Sequence, residues 1–108
     1  MMKRSIHEPH KIFFETLGND TRWEIVHLLQ KRQRNVTGIA KTLGYEQSLV
    51  SHHLRRLERC GFVRVKREGK ERIYELNKST IKPLLKLMDS HIYAFCRKIA
   101  INSKENKI

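Results

Sequence analysis

Acidic side chains, cysteines, phosphate-cradling glycine loops and long apolar runs are all scarce in this chain, and each scarcity removes a class of protein. Only two cysteines occur in 108 residues, Cys60 and Cys96. They lack metal-finger spacing, so neither a disulfide scaffold nor a zinc ribbon is expected. Two readings of them stay open: partly buried thiols that pack as small apolar groups, or a redox-sensing pair. There is no glycine loop of nucleotide-binding form, no nucleophile motif and no carboxylate or metal constellation, which argues against an enzyme and against a resident cofactor. The first residues, MMKRSIHEPHKIF, are basic but carry no apolar run of signal-peptide length, and no segment approaches a membrane span. A cytoplasmic protein without a membrane partner is the expectation. Repeats and low-complexity tracts are missing too, and only the polar end from Asn102 to Ile108 reads as a tail that frays.

The shortage of acid leaves 11 Asp and Glu against 23 Lys and Arg, a formal charge of +12. Such an excess favours polyanionic partners, nucleic acid first. The length suits one domain, 1–108, whose modest core would gain from oligomerisation.

What is present is most informative between Val36 and Arg56, VTGIAKTLGYEQSLVSHHLRR. Two short helical patterns flank a glycine, as in a helix-turn-helix. Ala40 is small where two helices would cross, Gly44 sits where the turn needs a positive φ, and Val50 falls where the second helix would pin onto the first. Ile39, Leu43, Leu54 and Leu57 supply further apolar contacts at helical spacing.

Around this motif the periodicity predicts helices over His7–Leu17, from Asn19 or Asp20 to about Lys31, over Thr37–Leu43 and over Gln47–Cys60, with Gly18 and Gly61 as stops. The run Lys31–Asn35 reads as a polar closure of the second helix. After Gly61 the period changes from helical to alternating. FVRVKRE and ERIYELN, separated by Gly69 and Lys70, form a predicted β-hairpin. A basic hairpin directly behind a recognition helix reads as a wing. Its Lys66, Arg67, Lys70 and Arg72 are placed to follow a phosphate backbone or enter the minor groove, or else they are charges that keep a solvated edge soluble.

A last helix is predicted from Ser79 or Thr80 to about Ile101, with Pro83 in its first turn. Ile81, Leu84, Leu85, Met88, Ile92, Phe95 and Ile99 make its stripe. The apolar surface is broader than one small domain can cover, so Leu84, Met88, Ile92, Phe95 and Ile99, with Phe13 of the first helix, are read as a homodimer interface. The fold class is therefore mainly α with a β-hairpin wing, a winged helix-turn-helix in the order α-α-α-α-β-β-α, dimerising through its terminal helices.

In order and spacing, LGNDTRWEIVHLL (Leu17–Leu29) and IAKTLGYEQSLVSHHLRRLERCGFVRVKREGKERIYEL (Ile39–Leu76) resemble the ArsR/SmtB family of winged helix-turn-helix transcriptional regulators. The resemblance covers most of the chain. It implies a homodimer that binds an imperfect inverted repeat in promoter DNA and usually represses transcription. Many relatives sense thiophilic metals through cysteines near the start of the third helix, but Arg34–Ala40 contains none. Others hold zinc between paired C-terminal helices. Here the first two ligand positions of that pattern fall on Lys78 and Thr80, His91 matches a lone third, and Ala94 fills the fourth. No metal site is expected, the effector stays open, and an unorthodox site from His7, His10 and His91 remains as the alternative.

Helical geometry puts Gln47, Ser48, Ser51, His52 and Arg55 on the outer, amino-terminal part of the fourth helix, where side chains enter the major groove of double-stranded DNA. Gln47 suits adenine, Arg55 guanine or phosphate, and Arg56 adds affinity. His53 lies beside Val50, Leu54 and Leu57 and is expected to be packed and hydrogen-bonded. The same basic surface would also serve a weakly specific architectural DNA binder, whose affinity comes from counterion release.

Overall fold

Side-chain oxygens of two asparagines set helix boundaries in the computed structural model, which describes the backbone over residues 2–106 and side chains over 7–101. After α1 (Met2–Leu17), Asn19 Oδ1 accepts the Arg22 N–H at 3.0 Å and starts α2 (Asp20–Lys31). Asn35 Oδ1 accepts the Gly38 N–H at 2.7 Å and starts α3 (Val36–Leu43). Each cap satisfies a backbone donor that the first helical turn leaves open. α1 begins before the expected His7 and runs through Pro9, forgoing the bond that a proline cannot donate. The polar tail expected over 102–108 lies outside the described side chains.

Glycines set the ends. Gly44 (φ 78°) lets α3 turn into α4 (Gln47–Arg59). Gly61 (φ 78°) closes α4: its N–H bonds Glu58 O at 3.0 Å, and the Phe62 N–H bonds Leu57 O at 2.9 Å. That paired pattern satisfies two carbonyls of the last turn and requires the left-handed residue between them. The expected end at Cys60 is thus one residue late.

The hairpin is β2 (Val63–Glu68) and β3 (Glu71–Leu76), joined by Gly69 and Lys70, with Val65 opposite Tyr74 and Arg67 opposite Arg72. The run read as the polar end of α2 contains a third strand. β1 (Arg34–Asn35) pairs with the other edge of β3, Arg34 opposite Tyr74, giving the sheet order β1-β3-β2. With β3 central and also touching α2 and α3, Ile73 and Tyr74 are both buried although they point to opposite faces. Strict alternation predicts burial on one face only.

Residues up to Asn77 form one compact unit, and those from Lys78 form a second. The first has its core in Ile25, Val26 and Leu29 of α2, Ile39 of α3, Val50, Leu54 and Leu57 of α4, then Phe62, Val63 and Leu76. The second departs from the single helix expected. α5 (Ile81–His91) passes into a π-helical segment, Ile92–Cys96, and then into α6 (Arg97–Asn106). The wider turn breaks the phase of the predicted stripe. Ile81 and Leu85 are buried, Leu84 and Met88 half-buried, while Ile92, Phe95 and Ile99 are exposed.

Candidate nucleic-acid interface

α4 sorts its residues by direction. Val50, His53, Leu54 and Leu57 are buried, whereas Gln47, Ser48, His52 and Arg55 are exposed and Ser51 is half-buried. Gln47, Ser51 and Arg55 recur every four residues, so they form one row along the helix. Beside that row stands the wing. A cleft of about 400 Å³ is lined by Gln47, Ser51, Arg55 and Glu58 of α4, by Arg72 and Tyr74 of β3, and by Val36. Polar and cationic groups from two elements therefore converge on one open hollow, with Glu58 as the carboxylate in its lining.

Strand register sets which wing cations share a face with Arg72, the one in the cleft lining. Val63, Val65 and Arg67 share a face of the hairpin with their partners Leu76, Tyr74 and Arg72. Towards the turn that face leaves the core, and both arginines are exposed. Two guanidinium groups directly opposite each other repel, so the pair is better satisfied by an anion than by itself. Lys66 stands on the other face and makes a long ion pair with Glu75, 3.8 Å. Lys70 is exposed at the turn.

The structure places Arg56 apart from the other expected DNA contacts. Its Nε donates to Thr16 Oγ1 of α1 at 3.0 Å, and the side chain is half-buried. Thr16 is fully buried, and its hydroxyl donates to Ile12 O at 2.7 Å. With the single hydroxyl proton used, the 3.3 Å contact to Cys60 Sγ has the thiol as donor. Arg22 completes the cluster: Nε donates to Thr16 O at 2.7 Å and Nη2 to Glu15 O at 3.1 Å, while Nη1 meets His53 Nδ1 at 3.1 Å. A guanidinium only donates, so His53 Nδ1 accepts and the ring is neutral, with its proton on Nε2. Burial, then the charges of Arg22 and His52, lower the His53 pKa. Burial, and then Arg56, also lower that of Arg22.

This network anchors the recognition helix to α1 and α2. His53 is packed and hydrogen-bonded, as expected. The remainder was not anticipated, although one sequence signal was available: Arg22 is a cation in the first turn of a helix, where the helix dipole disfavours it.

Other expected residues land differently. Phe13 stacks on Phe62 within the same chain, centroids 5.1 Å apart, while its neighbour Phe14 is 67% exposed. Cys60 is half-buried, but Cys96 is exposed, so the reading of two partly buried thiols fits Cys60 alone. In the second unit Leu87 (71%), Tyr93, Phe95 and Ile99 stand out into solvent. Among the described residues no three His, Cys, Asp or Glu side chains gather as a metal group, and no helix is long and apolar enough to cross a membrane.

The family described as "Bacterial regulatory protein, arsR family" matches residues 19–65, which run from the α2 cap into the wing. The uncharacterised HTH-type transcriptional regulator MJ1325 of Methanocaldococcus jannaschii is 32% identical over 77 residues, 70% of this chain and 86% of that protein. The regulator Rv0081 of Mycobacterium tuberculosis is 36% identical over 74 residues, 68% of this chain and 65% of its own length. Its crystal structure superposes with a TM-score of 0.79 at 28% identity, covering 88% of this chain and 96% of that one. The homodimeric winged helix-turn-helix DNA-binding domain of Mb0332 from Mycobacterium bovis, a possible ArsR-family regulator, gives 0.77 at 25% identity and covers 86% of each. The match spans only 17% of another M. jannaschii regulator, MJ1398.

Proposed function

Because the chain belongs to the arsR family of bacterial regulatory proteins, we propose that it is a homodimeric transcriptional repressor that binds an inverted repeat in double-stranded DNA. One observation carries the reading. Gln47, Ser51 and Arg55 of α4 line the same open cleft as Arg72 of the wing, so a duplex seated there meets base-reading and phosphate-binding groups together. Gln47 pairs with adenine through two bonds, Arg55 with guanine or phosphate, and Ser48, Ser51 and His52 with nearby base edges or backbone. Arg67, Arg72 and Lys70 take phosphates, and Lys66 contributes less because Glu75 partly neutralises it. Arg56 is assigned to the support of α4 rather than to DNA.

Both compact units serve one DNA-binding function, the second joining two copies. The exposed Leu87, Ile92, Phe95 and Ile99 support that role; in the first unit the exposed Phe14 is the candidate in place of Phe13, which packs on Phe62. A monomer would leave these large apolar side chains in water, and such exposure marks an interaction surface. The dimer of Mb0332 is the precedent.

Selection of bound sequences from random duplexes at near-physiological salt tests the proposal. An inverted repeat with half-sites roughly one helical turn apart is expected, bound about a thousandfold more tightly than a scrambled control. Salt-sensitive binding that enriches no motif would replace it with the architectural reading.

A further inference from the structure

A second cleft, of about 430 Å³, lies where α2 gives way to α3 and shares no residue with the first. It is lined by Arg32, Gln33, Arg34, Asn35, Gly38 and Ile73. Two arginines and two carboxamide residues line the hollow, and its lining contains no acid. Asn35 is already committed, its Oδ1 to the Gly38 N–H and its Nδ2 to Glu71 Oε1 at 2.9 Å, a bond that also engages the Glu71 carboxylate. Arg34 is not. Its Nη1 donates to Thr42 Oγ1 at 3.2 Å, but its Nε is buried and, among the described residues, has no partner. Buried guanidinium donors are ordinarily paired, and an orphan calls for a missing acceptor. With Nη1 taken, the free edge is the Nε–Nη2 pair, the fork that two oxygens of one oxyanion match.

We propose that this cleft binds a phosphate-type oxyanion, with Arg34 as the bidentate donor and Arg32 as the second cation. Seating the anion turns the Arg34 head towards the hollow and gives its Nε the acceptor it lacks. Gln33 supplies a further amide donor. The phosphate is carried either on a free phosphorylated compound or in the backbone of bound DNA. The chemistry at the site is the same for both.

Inorganic phosphate is the probe, titrated into the full chain without DNA against chloride at matched ionic strength, with amide shifts of Asn35 and Gly38 as the readout. Saturable shifts there are expected, weakened about tenfold or more in Arg34→Gln. Arg32→Gln, at an exposed position that leaves the Thr42 contact intact, should weaken them too and guards against a misfolded Arg34 variant. A double wing variant, Arg67→Gln with Arg72→Gln, should leave them unchanged. Equal responses in the wild type and the well-folded Arg32 and Arg34 variants, or shifts confined to the wing, would overturn the assignment. A DNA arm separates the sources. If a backbone phosphate is the ligand, DNA and phosphate compete and Arg34→Gln lowers the salt slope of DNA binding by about one. If a free anion is the ligand, phosphate still binds the DNA complex and the slope is unchanged. The phosphate titration needs no DNA, so its failure is distinct from failure of the operator selection.

Discussion

His53 sits one residue from the proposed DNA reader His52 but faces the interior, where Arg22 donates to its Nδ1. Protonation would put two donors face to face, and burial opposes the charge as well, so the folded pKa lies below the ordinary 6.5. The unfolded chain then binds a proton more readily than the folded one, and stability rises with pH in that interval. The contribution is complete above about pH 6.5 and is lost as pH falls from there through the lowered folded value. Urea unfolding between about pH 5 and 8 should show this acid limb, and His53→Gln should flatten it. An unchanged limb in that variant would assign it to another group. On the opposite side of α4, replacing Ser51 and His52 with alanine should narrow the gap between operator and scrambled DNA while leaving the unfolding midpoint in place. Undiminished discrimination would remove both from base reading. The direction of the α4 residues other than Arg56 was legible because apolar spacing fixes a helix's inner face. The partners of Arg22, Thr16 and Arg56 were not, since they join α1 to α4 across 40 residues of sequence.

Elements were legible in proportion to the length of their patterns. The hairpin announced itself through six-residue alternation around Gly69, and the helices through stops such as Gly61. β1 has only two residues, too few for any period, and Asn35 serves at once as its end and as the cap of α3. Gly61 gives a sharp test at this scale. Its φ of 78° belongs to the left-handed region, with nothing within 4 Å of an added Cβ. Gly61→Ala should therefore cost only the conformational penalty, about 1–2 kcal/mol by denaturant unfolding. A neutral result would mean that the turn relaxes to another form. In the terminal helical segment, Ile92→Glu should shift sedimentation towards monomer and weaken operator binding in step, because a charge is buried at the proposed interface. An intact dimer would move the interface elsewhere.

At the scale of the whole molecule, a charge of +12 commits the protein to salt-dependent binding, and the wing is where that commitment is most easily altered. Removing Arg67 and Arg72 together should weaken specific and scrambled DNA alike and reduce the slope of log affinity against log salt by about two. Loss restricted to the operator would instead make these arginines base readers. The overall architecture was legible because charge, a helix-turn-helix and a basic hairpin occur in one order, each consistent with the next. The extent of the apolar terminal surface was legible too, but its direction was not, because spacing through Ile92–Cys96 suits an ordinary helix as well as the wider turn found there.

That wider turn changes how this chain is to be aligned with any other. A π-helical turn takes in one residue more than the turn it replaces, so side chains beyond Cys96 point about 100° away from where an uninterrupted α-helix would send them. An ungapped pairwise alignment with a chain that stays α-helical opposite Ile92–Cys96 would thus leave every later column out of phase, whereas a one-residue gap there restores it. Past that point, two proteins can share a column and still face different ways.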